Sequence, residues 1–128
     1  PKGAFLRFYF GGERSYRGEG AIDLLFGLPP RKSSLDVYLE MLTDHSERTG
    51  TALLPWSIAV VSGDISDGDV ARHALSRGGH LRVGLEDYAG SGAPSNLELV
   101  EEAVALCKEA GRPIASPAET AKILNLPN

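Results

Sequence analysis

The chain has 128 residues, 42% of them hydrophobic and 23% charged, with a formal net charge of -4 and a single cysteine. That length and balance support one packed core and exclude a disordered chain, while the acidic charge leaves no electrostatic footprint for nucleic acid or an anionic membrane surface. The lone Cys107 excludes an internal disulfide and fits a reducing compartment; with no leader-like or spanning apolar run, the sequence reads as soluble and cytoplasmic.

Residues 4–10 are aromatic-rich and bounded by Gly3 and Gly11-Gly12, which predicts a buried strand ending in a turn. The polar run 13–20 is either an active-site loop of the kind that follows a barrel strand or a plain solvated connection; in the first case Arg14 and Arg17 are candidates to contact phosphate or carboxylate. A short helical piece is expected over 21–27, stopped by Pro29-Pro30. Ser33 or Ser34 then opens a helix with Leu35, Tyr38, Leu39 and Leu42 on one apolar face, and the polar stretch 43–50, with a surface His45, is expected to end it.

The next strand is predicted over 53–61, followed by the turn Ser62-Gly63-Asp64. Lying past a strand's carboxyl end, Ser62 and Asp64 are candidate pocket residues as well as ordinary turn formers. Ser66 or Asp67 should cap a helix bearing Val70, Ala74 and Leu75, with His73 one residue off that face, and Gly78-Gly79 ends it. A strand is expected over 80–87. Alternation then puts His80, Arg82, Gly84 and Glu86 on one face and Leu81, Val83, Leu85 and Asp87 on the other, so Arg82 and Glu86 are neighbours and Asp87 is not. Strands of a parallel sheet are normally apolar on both faces, so these charges form either a structural ion pair or part of a site, and Gly84 leaves space beside them.

After the glycine-rich loop 88–94 comes a helix with Ser95 and Glu98 as a capping box, Leu97, Val100, Ala103, Val104 and Cys107 on its face, and Gly111 at its exit. A final strand is predicted over 113–115, then a second capping box, Ser116 with Glu119, opening a helix with proline at its first position. Neither a phosphate-loop lysine nor a dinucleotide glycine fingerprint is present. Four strand-then-helix units without a hairpin signal predict a parallel α/β sheet. A closed barrel needs eight units in about 250 residues. The expectation is therefore a single partial domain, residues 1–128, forming the C-terminal half of a (β/α)8 barrel. Opening on Pro1, the chain would be truncated, cleaved, or completed by a missing N-terminal half. Half a barrel exposes sheet edges, so self-association into a homo-oligomer is also expected.

The run GGHLRVGLED at 78–87, followed by 94–101 and 111–119, and upstream Trp56-Ser57-Ile58-Ala59 and the opening 5–12, resembles the beta-keto acid cleavage enzymes, the family of 3-keto-5-aminohexanoate cleavage protein. The resemblance implies a zinc-dependent TIM barrel that condenses a beta-keto acid with acetyl-CoA and releases acetoacetate and a new acyl-CoA. It also implies that Glu86 is a metal ligand, joined by two histidines of a His-x-His motif from outside this chain, and that Arg82 and Asp87 are catalytic. Many members have asparagine where Tyr88 stands here, which leaves the acyl substrate open. None of His45, His73 or His80 has a ligand role in that pattern. The implied role requires the Glu86 carboxylate to face an ion rather than solvent. Two other readings stay open: a metal-dependent TIM-barrel lyase or aldolase that does not use CoA, and a non-catalytic module whose Arg82 and Glu86 form a structural pair.

Overall fold

A computed structural model describes residues 3–12 and 27–126, so the expectations for 13–26, Arg14 and Arg17 included, lie outside the described residues. The elements run β1 (Leu6–Gly11), α1 (Lys32–Thr49), β2 (Trp56–Val61), α2 (Val70–Ser76), β3 (His80–Leu81), α3 (Asn96–Glu109) and α4 (Pro117–Ile123). The three strands form one parallel sheet in the order β1-β2-β3. The fold is thus mixed α/β.

β1 and β2 pair from Leu6↔Trp56 to Gly11↔Val61 without a slip. Alternation sends Leu6, Phe8 and Phe10 toward the helices, where Phe8 stacks on Tyr38 with centroids 5.0 Å apart and Phe10 meets the same ring edge-on at 5.5 Å. Leu35, Leu39, Ile58, Val60, Val70 and Leu75 complete this core. Full burial of a side chain such as Phe10 or Ile58 stabilises by about 1.5–3 kcal/mol. The other face of β1 carries Arg7 and Tyr9, which remain exposed.

Several sequence expectations are corrected. α1 continues to Thr49 because the Thr43 and Thr49 hydroxyls donate to carbonyls four residues back, at 2.9 and 2.7 Å, instead of competing with the helix; it stops at Gly50, in the left-handed conformation. α2 starts at Val70 with Asp69 before it, since Ser66 is held in a turn by Asp64. Among the described residues 113–115 form no strand, so the sheet has three strands and not four. Leu81–Val83 and Pro113–Ala115 both line a cleft of about 920 Å³ instead of pairing. α3 buries Leu99 and Leu106, while Leu97 and Val100 of the expected apolar face are exposed; Val100, Ala103, Val104 and Cys107 line that cleft. Both capping boxes form as expected. No helix among the described residues is long and apolar enough to cross a membrane.

Candidate functional site

β3 leaves the sheet early. Its pairing with β2 ends at Ile58↔Leu81, with Arg82 N–H still donating to Ile58 O at 2.9 Å, and resumes as a bridge between Gly63 and Tyr88. Gly63 lies five residues beyond Ile58 whereas Tyr88 lies seven beyond Leu81, so two extra residues bulge from the β3 side. They are absorbed in a turn in which the Asp87 and Tyr88 amides both donate to Gly84 O at 3.2 Å. Asn96, at the start of α3, accepts from Leu85 N–H at 3.1 Å and ties the turn to the helix.

This bulge overturns the expected alternation. Asp87, predicted on the face away from Arg82, is swung back onto it: Arg82 Nη1 donates to Asp87 Oδ2, while Nη2 donates to Glu86 Oε2 at 2.7 Å. The three groups differ in solvent access. The side chains are 10% exposed for Asp87, 28% for Arg82 and 81% for Glu86, so the guanidinium bridges a buried carboxylate and an open one. Beside the pair, between Gly84, Tyr88 and Leu99, is a space of about 20 Å³, enough for about one water.

Behind the turn, Ser62 N–H donates to Asp87 O and Ala89 N–H to Gly63 O, both at 2.9 Å, fixing the main chain that carries the carboxylate. Ser62 itself is fully buried with φ 60°, and its hydroxyl has no partner among the described residues. Asp64 accepts from Ser66 N–H and Oγ at 2.9 and 2.7 Å, as a turn residue does, and it also lines the small space beside the Arg82–Asp87 pair, as expected of a pocket residue.

The histidines lie apart from one another. His73 pairs with Asp36 at 2.7 Å across α2 and α1, His45 is on α1, and His80 is on β3, its imidazole held below its ordinary value by burial and then by the Arg112 charge. Among the described residues no three His, Cys, Asp or Glu groups come close enough to hold a metal. Zinc takes at least three protein ligands, so the donor set here, one open carboxylate at Glu86, does not make such a site by itself. The turn holds the Glu86 carboxylate at the surface, beside Arg82.

One participant was not singled out from the sequence. Tyr9 shares a sheet face with Arg7 and Arg82. Arg7 is the largest influence holding its phenol below the ordinary value, burial opposes it, and Arg82 acts in the same direction as Arg7. Alternation along residues 6–10 was the signal available for it.

A guanidinium clamped to a buried carboxylate at the carboxyl end of a parallel sheet belongs to the α/β class of proteins that place chemistry at strand ends. The sequence model of the beta-keto acid cleavage enzymes matches residues 13–126, and the chain belongs to that family. It is 51% identical over 61 residues to the 3-keto-5-aminohexanoate cleavage enzyme of Acetoanaerobium sticklandii, covering 44% of this chain and 22% of that protein. It is 46% identical over 63 residues to the 3-oxoadipate:acetyl-CoA acetyltransferase of Cupriavidus necator, covering 46% and 22%. A stretch of 87 residues is also 39% identical to the glutamate 5-kinase of Thermus thermophilus, covering 68% of this chain and 23% of that protein. The chain thus spans under a quarter of the length of these relatives in each match.

Proposed function

We propose that this chain is part of an enzyme that condenses a beta-keto acid with acetyl-CoA and releases acetoacetate and a new acyl-CoA, with Arg82 and Asp87 as its catalytic groups. The observation that carries the reading is the bulge, which brings a buried carboxylate and an open one to a single guanidinium. Arg82 orients the substrate carboxylate and stabilises negative charge that develops on the enolate oxygen. Asp87, held by Arg82, accepts the proton from the carbon between the keto and carboxylate groups.

The Arg82–Glu86 pair is an exposed i,i+4 contact, and such pairs contribute about 0–1 kcal/mol, so Glu86 can leave it at little cost. In this reading Glu86, the more exposed of the two carboxylates, is a ligand of a zinc ion whose other ligands come from outside the described residues. The same reading makes residues 1–128 a partial domain, the C-terminal half of a (β/α)8 barrel in a cytoplasmic homo-oligomer. It is supported by the parallel strand-helix order and by the polar residues Arg7, Tyr9 and Arg82 on one face of the sheet.

The buried Arg82–Asp87 pair also favours a second reading, a purely structural ion pair. The complete gene product should release acetoacetate from a beta-keto acid only with acetyl-CoA present, and Arg82→Ala should abolish this. Turnover without acetyl-CoA would point to a lyase; an inactive protein that binds no zinc would leave the structural pair.

A further inference from the structure

Strand register sets the residues of the helix-free face in rows. Arg7 pairs with Ser57 and Ser57 with His80; one step on, Tyr9 pairs with Ala59, which lies beside Arg82, the residue following Leu81 in register with Ile58. Neighbouring strands are about 4.8 Å apart, so Tyr9 and Arg82 start roughly 10 Å apart across β2. The residue between them is alanine, whose methyl leaves room for the two long side chains to approach over it; one row back, Arg7 Nε donates to Ser57 Oγ at 3.2 Å. Arg7 and Arg82 share this face with Tyr9 and both lower its phenol pKa; a guanidinium has no acceptor, so neither of them can take up the phenol proton.

We propose that Tyr9 is a further substrate-contacting residue, its hydroxyl donating to the carboxylate of the beta-keto acid on the open sheet face beside Arg82. A donor between two fixed positive charges suits a carboxylate and disfavours a neutral group. The lowered phenol pKa makes the same hydroxyl a stronger donor. This assignment rests on the reading of the site given above and adds a residue to it.

The test uses the complete gene product and acetoacetate as the probe. Calorimetric titration should give Tyr9→Phe a dissociation constant roughly tenfold or more above that of the parent, as loss of a charge-assisted hydrogen bond predicts, with the melting temperature unchanged. In turnover, the same variant should raise KM for the keto acid and leave KM for acetyl-CoA unchanged. In the unsubstituted protein, the Tyr9 ring-carbon resonance should shift on adding acetoacetate, a readout that needs no variant. Equal affinities of parent and Tyr9→Phe, an unmoved resonance, or no binding by the parent would overturn the proposal. Tyr9-dependent binding in a protein with no acetyl-CoA-dependent turnover would instead sink the proposed reaction and leave the anion contact standing.

Discussion

Replacing Ser62 by glycine should stabilise the protein, although it removes a side chain from the interior. Ser62 is fully buried, sits at φ 60° and carries a hydroxyl without a partner among the described residues. Left-handed backbone costs a non-glycine residue about 1–2 kcal/mol, and a buried, unsatisfied hydroxyl costs about 1–3 kcal/mol. Glycine relieves both, offset by about 0.5–1 kcal/mol of added unfolded-chain entropy, for a net gain of about 2 kcal/mol. It also keeps the Ser62 N–H that holds Asp87 O at 2.9 Å. For a domain of this size the gain corresponds to a rise in melting temperature of roughly 5–10 °C, read by calorimetry. Ser62→Ala removes the hydroxyl but keeps the backbone strain, and should fall between parent and glycine. A glycine variant less stable than the parent would refute the reasoning, because it would mean that the hydroxyl or the side chain makes a favourable contact.

Gly12→Ala should act in the opposite direction. Its Cβ would lie 2.1 Å from Ser62 O and 2.7 Å from Gly63 Cα, backbone atoms that cannot rotate away, so a loss of about 3 kcal/mol in urea unfolding is expected. Ser95→Ala removes the hydroxyl of the α3 capping box and should cost about 1 kcal/mol by the same assay. Stability should also fall with pH on the acid side of neutrality. His80 has its folded pKa below the ordinary 6.5, so as pH drops through 6.5 the unfolded chain takes up the proton first and is favoured, until the folded imidazole titrates as well. His80→Gln should flatten that slope in melting curves recorded from pH 7 to 5, and an unchanged slope would contradict it.

Features fixed by neighbouring residues were legible in the sequence. The Ser95–Glu98 and Ser116–Glu119 boxes are complete within four residues, and both form. The strands at 6–11 and 56–61 announce themselves by apolar and aromatic runs between glycines and prolines. Features set by pairing across the chain were not. The expected strand over 80–87 is bulged because Tyr88 pairs with Gly63, a match invisible to local alternation, and this places Asp87 beside Arg82. The face of α3 was misjudged because the helix is apolar on two sides: Leu106 and, of the expected face, Cys107 meet the core, while Leu99 is buried beside the Arg82–Asp87 turn. Tyr9 was absorbed into an aromatic strand reading, since its meeting with Arg82 depends on the small Ala59 between them. The chemistry assigned to Arg82, Glu86 and Asp87 came from the family pattern, because an Arg-Glu spacing alone is equally compatible with a structural pair.

The most direct test follows carbon from acetyl-CoA. With the complete enzyme, a beta-keto acid and acetyl-CoA labelled in its acetyl group, the account predicts labelled acetoacetate from the parent. Asp87→Asn, with an unchanged circular dichroism spectrum, should form it at least about 100-fold more slowly, a loss of about 2.7 kcal/mol of transition-state stabilisation. Labelled acetoacetate produced at the parental rate by Asp87→Asn would contradict it.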